Sequence, residues 1–255
     1  MGTSVPDGVG LRGSARAAGG RGGGTVRAPR SHGLPSLPSA PGGPRPAKLP
    51  RTGYIPGMAG PAIRRTTYAE YLALEQSTGV KHEYLEGFTV AMAGGTSAHA
   101  DLGRNVLIWL FTRLRDRGCM PSNSDQRVRV PGADFSSYPD VSVFCGPRVP
   151  DTLDPDAFTN PTLLVEVLSP STEAYDRGEK FGYYRELPSL QQYVLVSSTE
   201  ARIEVFTRNS DDSWTLRVYG AGAAADLASV GLAVPVDAVY DGVTLAPRGR
   251  LSPPV

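Results

Sequence analysis

At 255 residues the chain is long enough for one large domain or two small ones, and with 40% apolar and 20% charged residues it has a globular composition. Net charge is +1, but residues 1–58 hold eight Lys/Arg against Asp7 alone, a surplus of +7 that leaves the rest of the chain at −6. That balance excludes a strongly basic nucleic-acid-coating domain. It also contains no apolar run near the ~20 residues of a membrane helix.

In chain order, residues 1–60 are rich in Gly, Pro, Ser and Arg and almost free of periodic apolar residues. They are expected to form a disordered tail, because they bury too little to offset chain entropy. A transit peptide or a start codon upstream of Met58 would read the same way, and the misplaced start is preferred. Residues 61–255 are expected to be the folded domain. Thr67 and Glu70 form a capping-box pattern that predicts a helix over 67–77. Lys81 to Gly94 predicts a hairpin turning at Glu86-Gly87, with Phe88, Val90 and Met92 alternating. Ser97 to Arg117 carries Leu102, Val106, Leu110 and Leu114 at helical spacing and stops at Gly118.

Strands are then predicted over 126–130 and 138–145, followed by a loop rich in Pro and Asp to Asn160. Pro161 to Leu168 is apolar enough to be a strand buried on both faces. A helix follows from the Ser169-Pro170-Ser171-Thr172 start to about Leu187. Strands over 192–196, 201–207 and 214–219 form a meander turning near Asp212, and residues 234–245 add one or two short strands. The order predicts a mixed α/β (α+β) domain around one central sheet flanked by helices, with a C-terminal β-meander. The two cysteines, Cys119 and Cys145, show no CxxC spacing. They are expected to be reduced thiols of a cytoplasmic protein, with Cys145 a small core residue.

Glu166 carries the strongest chemical signal, as a carboxylate inside Leu163-Leu164-Val165-Glu166-Val167-Leu168. Burying it unpaired would cost several kcal/mol, so it needs a partner or a metal. Asp140 follows Pro139 and could share that ion from the neighbouring strand. One or two carboxylates plus water and phosphate oxygens is the shell Mg²⁺ prefers. The chain has 23 arginines and only three lysines, Lys48, Lys81 and Lys180. Lys180, on the helix after the Glu166 strand, therefore stands out. It could aim an ammonium at the same point or simply pair with Asp176 four residues earlier. Gly178 and Gly182 would allow that helix to approach the sheet closely.

These residues resemble the Uma2 family. The likeness rests on Pro139-Asp140, Val165-Glu166-Val167-Leu168-Ser169-Pro170-Ser171-Thr172, Asp176-Arg177-Gly178-Glu179-Lys180 and Tyr183-Tyr184, with Glu83-Tyr84-Leu85-Glu86-Gly87 and His99 upstream. The family is a bacterial group of restriction-endonuclease-like proteins in the PD-(D/E)XK superfamily. The resemblance implies a restriction-endonuclease-like core and Mg²⁺-dependent (or Mn²⁺-dependent) cleavage of DNA. It assigns Asp140 as the first acid and Glu166 as the second, and places the lysine at Lys180 because Leu168 occupies its usual position. Glu83 and the Val167 carbonyl are implied as further metal ligands. His99, Arg127, Arg129 and Arg177, with Arg104 and Arg113, are candidates for DNA phosphate contacts. A homodimer would suit cleavage of both strands. Two rivals are an inactive family member that binds nucleic acid or a protein, and a glycosidase using the acid pair.

Overall fold

A computed structural model describes residues 65–92 and 94–245. The predicted tail lies outside them. Helix α1 (Tyr68–Thr78) starts on the expected capping box, with the Thr67 side chain accepting from the Glu70 N–H and the Glu70 carboxylate accepting from the Thr67 N–H. Strands β1 (His82–Leu85) and β2 (Phe88–Ala91) form the hairpin, with Glu86 and Gly87 both at positive φ in its two-residue turn. Helix α2 (Ser97–Leu114) buries Ala98, Leu102, Val106, Leu110 and Leu114 along one stripe.

Strands β3 (Cys119–Asn123), β4 (Arg127–Val130), β5 (Phe135–Ser137), β6 (Val141–Cys145) and the short β7 (Ala157–Phe158) follow. Next is β8 (Leu163–Leu168), buried at all six positions. The chain then turns helical through α3 (Glu173–Tyr175), a π turn (Asp176–Lys180) and α4 (Phe181–Tyr184). Strands β9 (Gln192–Ser197), β10 (Arg202–Arg208) and β11 (Trp214–Gly220) form the meander, with Asp212 at positive φ before β11. The hairpin β12 (Ala224–Leu227) and β13 (Leu232–Pro235) and the short helix α5 (Val236–Val239) complete the order.

The expectation of a single sheet is corrected. A six-stranded mixed sheet runs β11-β10-β9-β8-β6-β3, and a separate five-stranded sheet runs β2-β1-β5-β4-β7. Sequence reading missed β3, β5, β7 and β12, which are short and lack alternation, and within 234–245 it expected strand where Val236–Val239 form helix α5. In the larger sheet only β8 and β9 are parallel. A parallel pair needs a long crossover, and here the segment 169–191 with its helical turns supplies it. Alternation along β8 separates two cores. Leu163, Val165 and Val167 join α2, α5 and the β12–β13 hairpin on one face. Leu164 and Leu168 join the crossover helix and the smaller sheet on the other. Glu166 shares the parity of Leu164 and Leu168, so it points at the crossover helix.

The reading of Cys119 and Cys145 as free thiols is also corrected, because they form a disulfide. Strands β3 and β6 pair antiparallel with Cys119 directly opposite Cys145, a register not readable from spacing. The bridge closes a loop of 26 residues. By the chain-entropy argument that is worth about 3–4 kcal/mol. Urea denaturation with and without reductant should show a lower midpoint under reduction, and alkylation under denaturing, non-reducing conditions should modify neither cysteine.

Candidate active site

The site forms where β6 and β8 part. Their antiparallel ladder ends at the pair Val141↔Val165. Beyond it the Val167 N–H has no strand partner, and Asp140 Oδ2 takes that hydrogen bond at 2.7 Å. Asp140 therefore lies against the main chain next to Glu166, on the same side of the sheet by strand parity. Among the described residues no hydrogen-bond partner falls on Asp140 Oδ1.

Glu166 is buried, and its Oε1 accepts from Lys180 Nζ at 2.9 Å and from the Tyr184 hydroxyl at 3.2 Å. No protein hydrogen bond falls on Oε2 among the described residues. Lys180 Nζ also lies 2.9 Å from Glu83 Oε1 and 3.5 Å from Asp176 Oδ1. All three ammonium donors thus face carboxylates. The crossover geometry causes this: the helix after β8 must lie on the sheet face that Glu166 points to, and its π turn carries both Asp176 and Lys180 inward. The two glycines play no part in close approach. A Cβ at Gly178 would meet nothing within 4 Å, and one at Gly182 would make only ordinary contact with Arg185.

Glu83 is held from three sides. Its Oε1 accepts from the Ser137 hydroxyl as well as Lys180, and its Oε2 accepts from the Tyr175 hydroxyl at 3.2 Å. His99, in the first turn of α2, places Nε2 3.3 Å from Asp140 Oδ2. Its ring lies over Gly95, where a Cβ would fall 2.8 Å from Nδ1, so only glycine fits there without a shift. Side-chain exposure grades the site: 22% for His99 and 17% for Asp140, against 5% for both Glu166 and Lys180. Solvent reaches the cluster from the Asp140–His99 side, and the lysine is the inner layer.

Electrostatics follow from four carboxylates around one ammonium. Burial raises the Glu166 pKa well above the usual carboxylate range; Lys180 opposes the rise, while the negative charges of Asp140 and Asp176 add to it. Burial likewise raises Asp176 against the pull of Lys180 and a hydrogen bond from Thr172. Burial favours neutral Lys180, but Glu166, Glu83 and Asp176 outweigh it and hold the ammonium charged. Burial also disfavours imidazolium at His99, yet Asp140 and a hydrogen bond to the Val167 main chain bring the net shift upward. The excess negative charge makes the cluster a receiver of protons or cations.

No group of three or more His, Cys, Asp or Glu among the described residues is arranged to hold a metal by itself. The donor set that fits is the pair Asp140 and Glu166, each with one carboxylate oxygen lacking a protein hydrogen bond. Hard oxygen donors on two carboxylates suit Mg²⁺ or Mn²⁺ when water and phosphate complete the shell. Val167, whose N–H is held by Asp140, is the residue next to Glu166 whose carbonyl was expected as a further ligand.

Of the expected arginine contacts, Arg104 and Arg113 are exposed on α2, whereas Arg127 and Arg129 are not displayed for DNA. Arg127 is largely buried, with Nε 2.5 Å and Nη2 2.8 Å from the two Asp154 oxygens and Nη1 3.6 Å from Glu75. It belongs to a buried network in which Glu75 also binds His82 and Tyr138. Arg129 is buried, stacks 3.9 Å over the Tyr68 ring and pairs with Asp134 at 2.6 Å. Arg177 is tied to Glu173 and Glu204. The alternating pattern of β4 looked like a solvent-facing basic stripe, but Arg127 serves the buried acids Asp154 and Glu75, and Arg129 is buried against Tyr68 with the half-exposed Asp134 as its partner. Arg127→Met should leave Asp154 and Glu75 as uncompensated buried charges and cost about 3 kcal/mol. Chemical denaturation checks this, and near-native stability would return Arg127 to the candidate DNA contacts.

Sequence reading treated Asp176 only as a neighbour of Lys180 and missed Ser137, Tyr175 and the hydroxyl of Tyr184. The four-residue spacing of Asp176 and Lys180 was the one available signal. Nothing local distinguishes the other three.

The mixed fold is that of a restriction-endonuclease-like protein. The chain belongs to the Uma2 family: the family model, described as "Putative restriction endonuclease", matches residues 68–237. It is 41% identical over 174 residues to the uncharacterized protein slr1290 of Synechocystis, covering 68% of this chain and 90% of that one. It is 35% identical over 151 residues to sll1609 of the same organism, covering 59% and 85%. Its fold matches a crystal structure described as a "putative nuclease belonging to DUF820" from Anabaena variabilis. That match has a TM-score of 0.59 and 18% identity, and covers 70% of this chain and 99% of that chain. No helix among the described residues is long and apolar enough to cross a membrane.

Proposed function

We propose that this protein is a metal-dependent endonuclease that hydrolyses DNA phosphodiester bonds. The observation that carries this reading is the Asp140–Val167 hydrogen bond at 2.7 Å, which fixes one carboxylate beside Glu166 where the two strands diverge. Asp140 and Glu166 would hold Mg²⁺ or Mn²⁺. Such an ion supplies charge neutralisation at the scissile phosphate and a more acidic water. The protein's own groups perform the rest. Lys180 and Tyr184 fix Glu166 through Oε1, so Oε2 would be the oxygen available to hold such an ion. Asp140, held by Val167 and His99, keeps its other oxygen for the same ion. With the acids partly neutralised, a Lys180 donor can turn from Asp176, its longest contact, toward the attacking water or the developing phosphate charge.

His99, the more exposed member, is the candidate for a phosphate contact. Cutting both strands would favour a homodimer. The test is conversion of supercoiled plasmid to nicked or linear DNA by the purified chain with Mg²⁺ or Mn²⁺, abolished by a chelator. A second reading, an inactive member that binds a partner, draws support from the internal use of Arg127, Arg129 and Arg177. Absence of cleavage with either ion, on duplex and single-stranded substrates, would favour it.

A further inference from the structure

We infer that Glu83 is a positioning residue that holds Lys180, and not a ligand of the metal. The inference deepens the nuclease reading and rests on it for the role of the lysine. Three donors occupy the two oxygens of Glu83: Ser137 and Lys180 on Oε1, Tyr175 on Oε2. Asp140 and Glu166 differ, since each keeps an oxygen with no protein hydrogen bond. Glu83 lies on β1 in the smaller sheet and reaches the cluster from the far side of the crossover helix's lysine, whereas solvent enters at Asp140 and His99. Its side chain is 5% exposed. Three of the roughly four acceptor sites of a carboxylate are thus taken, so an ion at Glu83 would have to share Oε2 with the Tyr175 hydroxyl, whereas Asp140 and Glu166 offer an oxygen with no such competitor. The lack of a three-ligand group among the described residues agrees with this assignment.

Glu83 instead braces the ammonium opposite Glu166, at the same 2.9 Å, so that Lys180 is clamped between the two sheets. Asp176, at 3.5 Å, is the looser third contact and the one that can release a donor. Holding a side chain whose own position is set by partners outside the ion's shell is how such supporting residues usually act, at a cost of about 10–100-fold when removed.

The test compares wild type with Glu83→Gln, Tyr175→Phe and Asp140→Asn. Mn²⁺ binding is followed by calorimetry or spin resonance, and plasmid cleavage is followed over a metal titration. Glu83→Gln should bind Mn²⁺ within about threefold of wild type and keep its half-saturating metal concentration, while its maximal rate falls at least about tenfold. Tyr175→Phe, which frees Oε2 without removing the carboxylate, should leave Mn²⁺ affinity unchanged. Asp140→Asn should lose Mn²⁺ binding. Loss of binding in Glu83→Gln like that in Asp140→Asn would overturn the inference and leave the nuclease reading standing. Tighter binding in Tyr175→Phe would overturn it as well. If no variant cleaves DNA, wild type included, the nuclease reading fails. An unchanged Mn²⁺ affinity in Glu83→Gln would then still exclude Glu83 as a ligand.

Discussion

Asp140→Asn should abolish metal-dependent cleavage while leaving the fold intact. The asparagine oxygen can still accept the Val167 N–H that Asp140 now takes at 2.7 Å, so the local backbone keeps its partner. What disappears is one of two negative charges available to a cation. A bound ion contributes several kcal/mol of transition-state stabilisation, and at ~1.36 kcal/mol per tenfold its loss corresponds to a rate about 10³-fold lower. Cleavage of supercoiled plasmid at saturating Mn²⁺ measures this, with thermal melting as the control for folding. A variant that keeps more than a tenth of wild-type rate would remove Asp140 from the metal site.

Lys180→Met should destabilise the protein by about 3–5 kcal/mol at pH 8, because it strips the only ammonium from buried Glu83, Glu166 and Asp176. The loss should shrink on acidification. Glu166 and Asp176 already have raised pKa values with the lysine present, burial being the first cause. Removing the ammonium raises them further. A carboxyl with a higher pKa in the folded state binds more protons folded than unfolded, so stability falls as pH rises through that interval and recovers as pH drops toward the unfolded value. Urea denaturation at pH 5.5 and pH 8 should therefore give a smaller penalty at the lower pH. An equal penalty at both would mean that the acids are paired elsewhere. The same variant separates roles, since a mere surface pair with Asp176 would cost only about 0.3–0.5 kcal/mol.

Much of the architecture was legible because its signals are local. The capping box at Thr67 and Glu70, the turn at Glu86-Gly87, the stripe of α2 and the dense apolar run of β8 each act within a few residues, and each appears where the residues predict it. The short strands β3 and β5 were invisible for the opposite reason, since their pairing depends on partners elsewhere in the chain. The same holds for Cys119 and Cys145, which meet through strand register alone.

The chemical residues divide along the same line. That Glu166 cannot be buried without a partner, and that Lys180 is a scarce residue on the next helix, follow from composition and burial energetics alone. The local pattern suggested only that Asp140 could share an ion with Glu166; that the two lie on one side of the sheet follows from the β6–β8 register. The pattern could not reveal that Glu83 crosses from a second sheet to brace the ammonium, or that Arg127 is spent on the buried Asp154. Those outcomes depend on which segments pack together, and packing is settled by contacts between residues tens of positions apart. Residue type states what each group requires, and only the assembled core determines which neighbour supplies it.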